Sequence, residues 1–200
     1  LVRSRGLGDV YKRQSISRQR EGLEVINSQV KNLTAFLDSY HRLTHLPEPE
    51  YKTVSVPALF TKLERLLQAE PRSERVVYCD GKADKSTGKE LQVYGDANLL
   101  TLALINLIRN ALQAVEGQED GIVRVDTCAG ATGHLLITIT DNGPGIPPER
   151  LSAIFTPFFS TKSGGSGIGL PISQRIMQLH GGQLSVSSIP NVRTEFRMEF

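Results

Sequence analysis

The 200 residues carry a formal net charge of +2, with 39% hydrophobic and 22% charged side chains. That is enough chain for one good-sized domain or a domain with a helical appendage, and apolar enough to fill a core. So small a charge, with no lysine–arginine stripe interleaved with aromatics, is too weak to argue for nucleic acid, which is not an expected partner, and no apolar run approaches the roughly 20 residues that span a bilayer.

The chain begins with Leu1 rather than Met, so it is expected to be a fragment, with any membrane segment or sensor domain lying upstream. Residues 1–14, LVRSRGLGDVYKRQ, suit neither the helix nor the domain after them and are expected to be a non-native remnant. Ile16, Leu23, Val30 and Leu37 then recur every seven residues, with Ile26, Leu33 and Tyr40 between them. This heptad seam predicts an amphipathic helix from about Ser15 to Leu43 that packs on a partner helix, in this chain or a second copy, or else on the neighbouring domain. Leu46-Pro47-Glu48-Pro49 ends it as a stiff linker.

Beyond Pro49 the pattern becomes mixed. Thr53 to Val56 reads as a short strand and Ala58 to Ala69 as a helix with Leu59, Leu63, Leu66 and Leu67 on one face. Val76 to Cys79 and Leu91 to Tyr94 read as strands around a polar loop, Asp80 to Glu90. Asp96 can cap a long helix to about Val115, with Leu99, Leu102, Ala103, Asn106, Leu107 and Asn110 near one side. Ile122 to Thr127 and Leu135 to Thr140 alternate as an antiparallel pair. Ile168 to Leu179 is a further helix, and Gln183 to Val186 and Glu195 to Phe200 are closing strands. The expected fold is α/β, a two-layer sandwich of a mixed sheet covered by helices. Cys79 and Cys128, without metal-like spacing, are expected to be buried free thiols in a reducing compartment.

Three stretches carry chemistry. Asn106 and Asn110 sit four apart on an otherwise apolar helix stripe, where an amide is costly unless paired. They either face a polar ligand, an asparagine oxygen being a reasonable Mg²⁺ ligand, or bond loop backbone. Asp141-Asn142-Gly143-Pro144-Gly145-Ile146 follows a strand; its glycines permit a tight turn near a flat ligand. Asp141, acceptor-only when ionised, could take a hydrogen bond from the adenine amine and reject the guanine carbonyl, although DNGPG by itself also reads as an ordinary turn. Then come FTPFFSTK (Phe155 to Lys162) and GGSGIGL (Gly164 to Leu170) at a helix start, where backbone N–H groups favour phosphate and Lys162 adds charge. The polar, glycine-rich stretch between Lys162 and Gly167 is expected to be a mobile lid that orders on nucleotide. Gly88-Lys89 is followed by Glu90 and is no P-loop, and the later glycines do not follow a strand as in a Rossmann turn.

In this order NLIRNA, DNGPGI, FTPFFSTK and GGSGIGL resemble the N, G1, F and G2 boxes of the histidine-kinase catalytic domain, within the wider GHKL (Bergerat-type) ATP-binding family. The likeness covers residues 51–200, and the helix within 15–47 resembles the second helix of the dimerisation and histidine-phosphotransfer hairpin. The resemblance implies ATP and Mg²⁺, with Asn110 as metal ligand and Asn106 beside the phosphates. Asp141 would read adenine in a pocket shaped by Gly143, Gly145 and Ile146. Thr161, Lys162, Gly165, Ser166, Gly167, Ile168, Gly169 and Leu170 would form the phosphate side, and Phe155 and Phe158 would anchor the lid. It further implies a response-regulator receiver domain as partner, a homodimer through the N-terminal helix, and a cytoplasmic place with membrane contact only through upstream segments.

The sequence departs from the pattern in three ways. The hydrolytic cousins carry a glutamate base where Asn106 stands, which favours transfer to a protein over hydrolysis. None of His41, His45, His134 or His180 has the acidic neighbour expected of a phosphoacceptor, and Arg42 spoils a zinc HExxH reading of His41 and His45, which are expected to be solvated helix-end residues. Arg193 stands where a glycine is usual before Thr194-Glu195-Phe196. The fragment is thus expected to bind ATP without completing its own reaction.

Overall fold

The structure, a computed structural model, describes residues 23, 24, 26–30, 33, 34, 37, 40, 41, 44–79, 90–129, 134–162 and 165–200. The expected remnant over 1–14, the first heptad position at Ile16 and nearly all of the polar loop from Asp80 lie outside the described residues. The chain divides into two units, Leu1–His45 and Leu46–Phe200.

In the first unit every described residue between 23 and 44 is helical, forming α1. Its seam residues Leu23, Ile26, Val30, Leu33, Leu37 and Tyr40 are between 51% and 59% exposed, so the apolar stripe is uncovered within its own unit. His41 and His45 stack with ring centroids 4.4 Å apart and are exposed, as expected of helix-end histidines.

The second unit runs β1 (Lys52–Ser55), α2 (Val56–Leu67), β2 (Val76–Tyr78), β3 (Gln92–Gly95), α3 (Ala97–Ala114), β4 (Val123–Ala129), β5 (Leu135–Asp141), α4 (Gly169–Leu179), β6 (Gln183–Ile189) and β7 (Arg193–Glu199). A five-stranded sheet has the order β2-β4-β5-β7-β6, parallel only between β2 and β4. A parallel neighbour needs a long crossover, and the stretch containing α3 supplies it. Alternation along β5 buries Leu135, Ile137, Ile139 and Asp141 on one face, the face on which α3 and α4 pack. Ile137, Ile139 and Met198 from the sheet and Leu100, Leu104, Leu107, Ile108, Ile176 and Met177 from the helices are wholly buried. At about 1.5–3 kcal/mol per buried aliphatic side chain, this layer is the main source of stability. The two-layer α/β sandwich is therefore as expected.

Several boundaries shift for local reasons. The second helix starts at Val56, two residues before the expected Ala58, because Ser55 accepts the Ala58 N–H (3.2 Å) and Pro57 occupies the first turn. Leu59, Leu63 and Leu67, four apart, are buried, while Leu66 falls off that stripe and is 50% exposed. The strands expected to flank the polar loop join different sheets: β2 edges the large sheet, whereas β3 pairs antiparallel with β1 in a separate two-stranded ribbon. Cys128 is exposed and Cys79 half-buried, against the expectation of buried thiols. Cys128 shares the helix-free face of β4 with Arg124 and Asp126, set by the period of two.

Asp96 caps α3 as expected. Its Oδ1 accepts from the N–H groups of Asn98 (2.8 Å) and Leu99 (3.1 Å), and Oδ2 from that of Glu50 (2.9 Å). Its own N–H donates to His180 Nε2 (2.9 Å), so the other ring nitrogen, 2.7 Å from the Ile176 carbonyl, carries the proton. Burial pushes the Asp96 carboxyl up, but the Glu50, Leu99 and Asn98 N–H groups outweigh it, and the net shift is downward. Asp96→Ala should cost about 1–2 kcal/mol in urea unfolding near neutral pH. A lowered acid stabilises the fold above its unfolded pKa and ceases to do so as pH falls through its folded one. The gap between variant and parent should thus close only below the ordinary carboxylate range.

Candidate functional site

One face of α3 carries Asn106, Arg109, Asn110 and Gln113 at helical spacing, all lining a cleft of about 600 Å³. Asn106 and Asn110 are both half-buried. Asn106 Nδ2 donates to the Gly169 carbonyl at 3.4 Å, a long bond, whereas the Asn110 side chain makes no hydrogen bond among the described residues. The loop-backbone alternative therefore applies weakly to Asn106, and the Asn110 amide is left available to the cleft.

The floor comes from β5 and β7. Asp141, the last residue of β5, is 3% exposed and pairs in register with Thr194. Its Oδ1 accepts the Gly143 N–H at 3.0 Å. Burial pushes its carboxyl up to about 6, against the opposing pull of that N–H and of the Lys162 ammonium. A buried acceptor with a raised pKa in a cleft is a candidate binding group.

The loop after Asp141 is fastened on both sides. Asn142 Oδ1 accepts from Ile122 N–H (2.8 Å) and its Nδ2 donates to the Asp120 carbonyl (2.9 Å). Ile146 N–H donates to Ser188 Oγ (2.8 Å) and Asn191 N–H to the Pro144 carbonyl (2.8 Å), so the β6–β7 hairpin tip buttresses the loop. Gly145 has φ +75°, and a Cβ there would lie 2.8 Å from both the Ile189 oxygen and the Pro190 Cα; only glycine fits. The same hairpin accounts for Arg193 in place of the usual glycine. The left-handed residue is Asn191 (φ 59°), a side chain that tolerates it, and Arg193 simply begins β7.

The opposite wall is Phe159 to Lys162, Gly165 to Gly167 and the start of α4. Phe158 N–H donates to the Gly167 carbonyl (3.0 Å) and clips the two segments together. Lys162 reaches across the cleft, its Nζ donating to Gln113 Oε1 (3.0 Å) and the Asn110 carbonyl (3.3 Å). Desolvation lowers its pKa, offset in part by Asp141 and Glu116. At α4 no side chain caps the helix, leaving its first-turn N–H groups without a side-chain acceptor.

Of the residues expected at the site, Asn106, Asn110, Asp141, Gly145, Ile146, Thr161, Lys162, Gly165, Ser166, Gly167, Gly169 and Leu170 line this one cleft. Gly143, Phe155, Phe158 and Ile168 do not. Gly143 lies behind it, where a Cβ would meet Asp141 Oδ1 at 2.7 Å, and Ile168 is buried core. The aromatic side chain at the wall is Phe159, since Phe158 takes a left-handed φ of 65° and is 38% exposed. Thr194, Phe196, Arg109 and Gln113 also line the cleft without having been singled out. Period-two alternation from Asp141 across to β7, and the helical step from Asn110, were the signals for them.

As for a metal, the described residues contain no cluster of three or more histidine, cysteine, aspartate or glutamate side chains able to hold one. A single free amide oxygen at Asn110 instead suits a hard cation that arrives with phosphate and water oxygens around it. No helix among the described residues is long and apolar enough to cross a membrane.

Residues 95–200 match the family described as histidine kinase-, DNA gyrase B-, and HSP90-like ATPase. The chain is 43% identical over 98 residues to the sensor histidine kinase ZraS of Salmonella typhimurium, covering 49% of this chain and 21% of that protein. It is 33% identical over 184 residues to the sensory histidine kinase/phosphatase NtrB of Vibrio alginolyticus, covering 87% of this chain and 50% of that one. The chain thus spans about a fifth to a half of the length of these curated relatives. The solved catalytic domain of the histidine kinase ThkA superposes with a TM-score of 0.62 at 27% identity, over 76% of this chain and 95% of that one. ThkA bound to the response regulator TrrA has the same fold at a TM-score of 0.67 and 22% identity, over 88% of this chain and 49% of that one.

Proposed function

The chain belongs to the histidine kinase-, DNA gyrase B- and HSP90-like ATPase family, and from that footing we propose that it is the ATP-binding core of a sensor histidine kinase. It binds Mg²⁺·ATP and places the γ-phosphoryl for transfer to a histidine, ahead of relay to a response-regulator aspartate. The observation that carries the reading is one cleft lined by the buried Asp141 carboxylate, the Asn110 amide and the Lys162 ammonium. Asp141 takes the adenine amine, Asn110 contributes one oxygen to Mg²⁺, and Lys162 with the Gly165–Gly169 backbone meets the phosphates. Bound Mg²⁺ would supply neutralisation of the phosphate charge.

Asn106 favours transfer over hydrolysis, for an amide cannot take a proton from water as a carboxylate base does. The family resemblance supplies the remaining partners: a receiver domain, as in the ThkA complex, and a second copy of the chain packed on the exposed α1 seam. Calorimetric titration with ATP and GTP, each with and without Mg²⁺, tests the core of this. Tight, Mg²⁺-sensitive and ATP-selective binding is expected; equal binding of GTP would remove Asp141 as the adenine reader. In Asn110→Ala the Mg²⁺ dependence should vanish, and a retained dependence would place the metal elsewhere.

A further inference from the structure

Arg109 is the other cation on the α3 side of the cleft, between Asn106 and Asn110. It lies beside the end where Lys162 docks on Gln113, whereas the remaining lining cation, Arg150, follows the Asp141 loop at Pro147. The Arg109 guanidinium is tied to one acid: Nε (3.0 Å) and the terminal Nη2 both donate to the same oxygen of Glu70. A guanidinium has five N–H donors, so further donors remain for a second acceptor.

The acid is the fixed member of the pair. Glu70 N–H donates to the Leu67 carbonyl (2.9 Å) at the end of α2, and its carbonyl accepts from Ser73 N–H (3.2 Å). The same segment is strapped to the end of α3 by the Arg72–Glu116 ion pair (2.9 Å) and by Arg75 donating to the Val115 carbonyl (3.0 Å). Arg109, by contrast, is a long side chain 52% exposed, and the pair is open to water. Exposed ion pairs contribute little and exchange readily. A phosphate, with more charge and two oxygens spaced to accept from the planar guanidinium fork, outcompetes a single carboxylate oxygen for a guanidinium.

We propose that Arg109 is a second phosphate-binding cation of the cleft, held at its edge by Glu70 and handed to the outer phosphates of the bound nucleotide. Glu70 then acts as a competitor that lowers affinity for triphosphates and keeps the guanidinium close to where it is used. The proposal rests on the ATP-binding reading of the cleft and adds two residues to it.

The test is titration of the chain, Arg109→Gln and Glu70→Gln with ATP and with AMP, which lacks the outer phosphates. Arg109→Gln should weaken ATP by about tenfold or more, the scale of a lost charge-assisted hydrogen bond, and leave AMP unchanged. Glu70→Gln should shift ATP the opposite way, tightening it several-fold, again with AMP unchanged. If both variants weaken ATP, if ATP and AMP move together, or if ATP does not respond, Arg109 and Glu70 form only a structural pair. A parent chain that binds neither nucleotide would defeat the ATP-binding reading itself and this proposal with it, an outcome distinct from the others.

Discussion

Asp141→Asn is expected to give a protein that folds more stably and has lost most of its hold on ATP. Burial raises the Asp141 carboxyl from 3.8 to about 6. The folded state therefore binds this proton more tightly than the unfolded chain does, and keeping the carboxylate ionised at neutral pH costs folding free energy. A shift of two units corresponds to about 3 kcal/mol, of which asparagine should recover roughly 1–3 kcal/mol. The Gly143 N–H keeps its acceptor, because asparagine still has an oxygen to offer. The cost is fully present above about pH 6 and gone below the unfolded value near pH 4, so the stability advantage of the variant should shrink across that window. Urea unfolding at both ends of it checks the sign. ATP affinity should fall by about 2 kcal/mol, roughly thirtyfold, since the amide presents a donor where the adenine amine needs an acceptor. A variant that is less stable at both pH values would mean that the carboxylate is not strained by its burial. Retained affinity would mean that adenine is read elsewhere.

The opposed stability and binding effects show why so much of the cleft can be read from residue types. Asn106, Asn110 and Asp141 are each poor choices for the burial they receive: two amides on an apolar helix face and a carboxylate ending a buried strand. Such conflicts between local chemistry and environment mark function, and they are visible without coordinates. Asp96 was legible for the converse reason: an aspartate directly before an apolar-periodic run has one favourable use, and the structure shows three N–H groups donating to it. The antiparallel pairing of Ile122 to Thr127 with Leu135 to Thr140 was legible, but the sheet that each strand beside the polar loop joins was not. Val76–Tyr78 and Gln92–Gly95 look alike in sequence, yet one joins the large sheet and the other a separate ribbon, a choice made by the α3 crossover rather than by either strand. Nor could the choice between Phe158 and Phe159 be made. Adjacent aromatics are equivalent in composition, and it is the left-handed turn at Phe158 (φ 65°) that leaves Phe159 to the wall. Arg109 was passed over because an arginine on a helix normally lies on its solvated face. Its role depends on Glu70, which is distant in sequence.

That turn at Phe158 sets the last expectation. Gly167 has φ +66°, and a Cβ there would lie 2.6 Å from the Phe158 carbonyl carbon and 2.7 Å from the Phe159 oxygen. Both are backbone atoms, so no rotamer change can relieve the contact. The Phe158 N–H bond to the Gly167 carbonyl holds the two segments at this distance. Gly167→Ala must therefore separate them, in addition to about 1–2 kcal/mol for a left-handed alanine. The core lies elsewhere, among α3, α4 and the sheet, so far-UV circular dichroism should be unchanged and the melting temperature should drop only modestly. The phosphate side, where Phe159, Ser160, Thr161, Lys162 and Gly165 line the cleft, should lose its arrangement. ATP affinity should fall by at least about tenfold, which is 1.4 kcal/mol, with AMP much less affected because Asp141 is untouched. An ATP affinity equal to that of the parent would show that the clip at Gly167 does not shape the phosphate wall. An equal loss for both nucleotides would show that it braces the whole cleft.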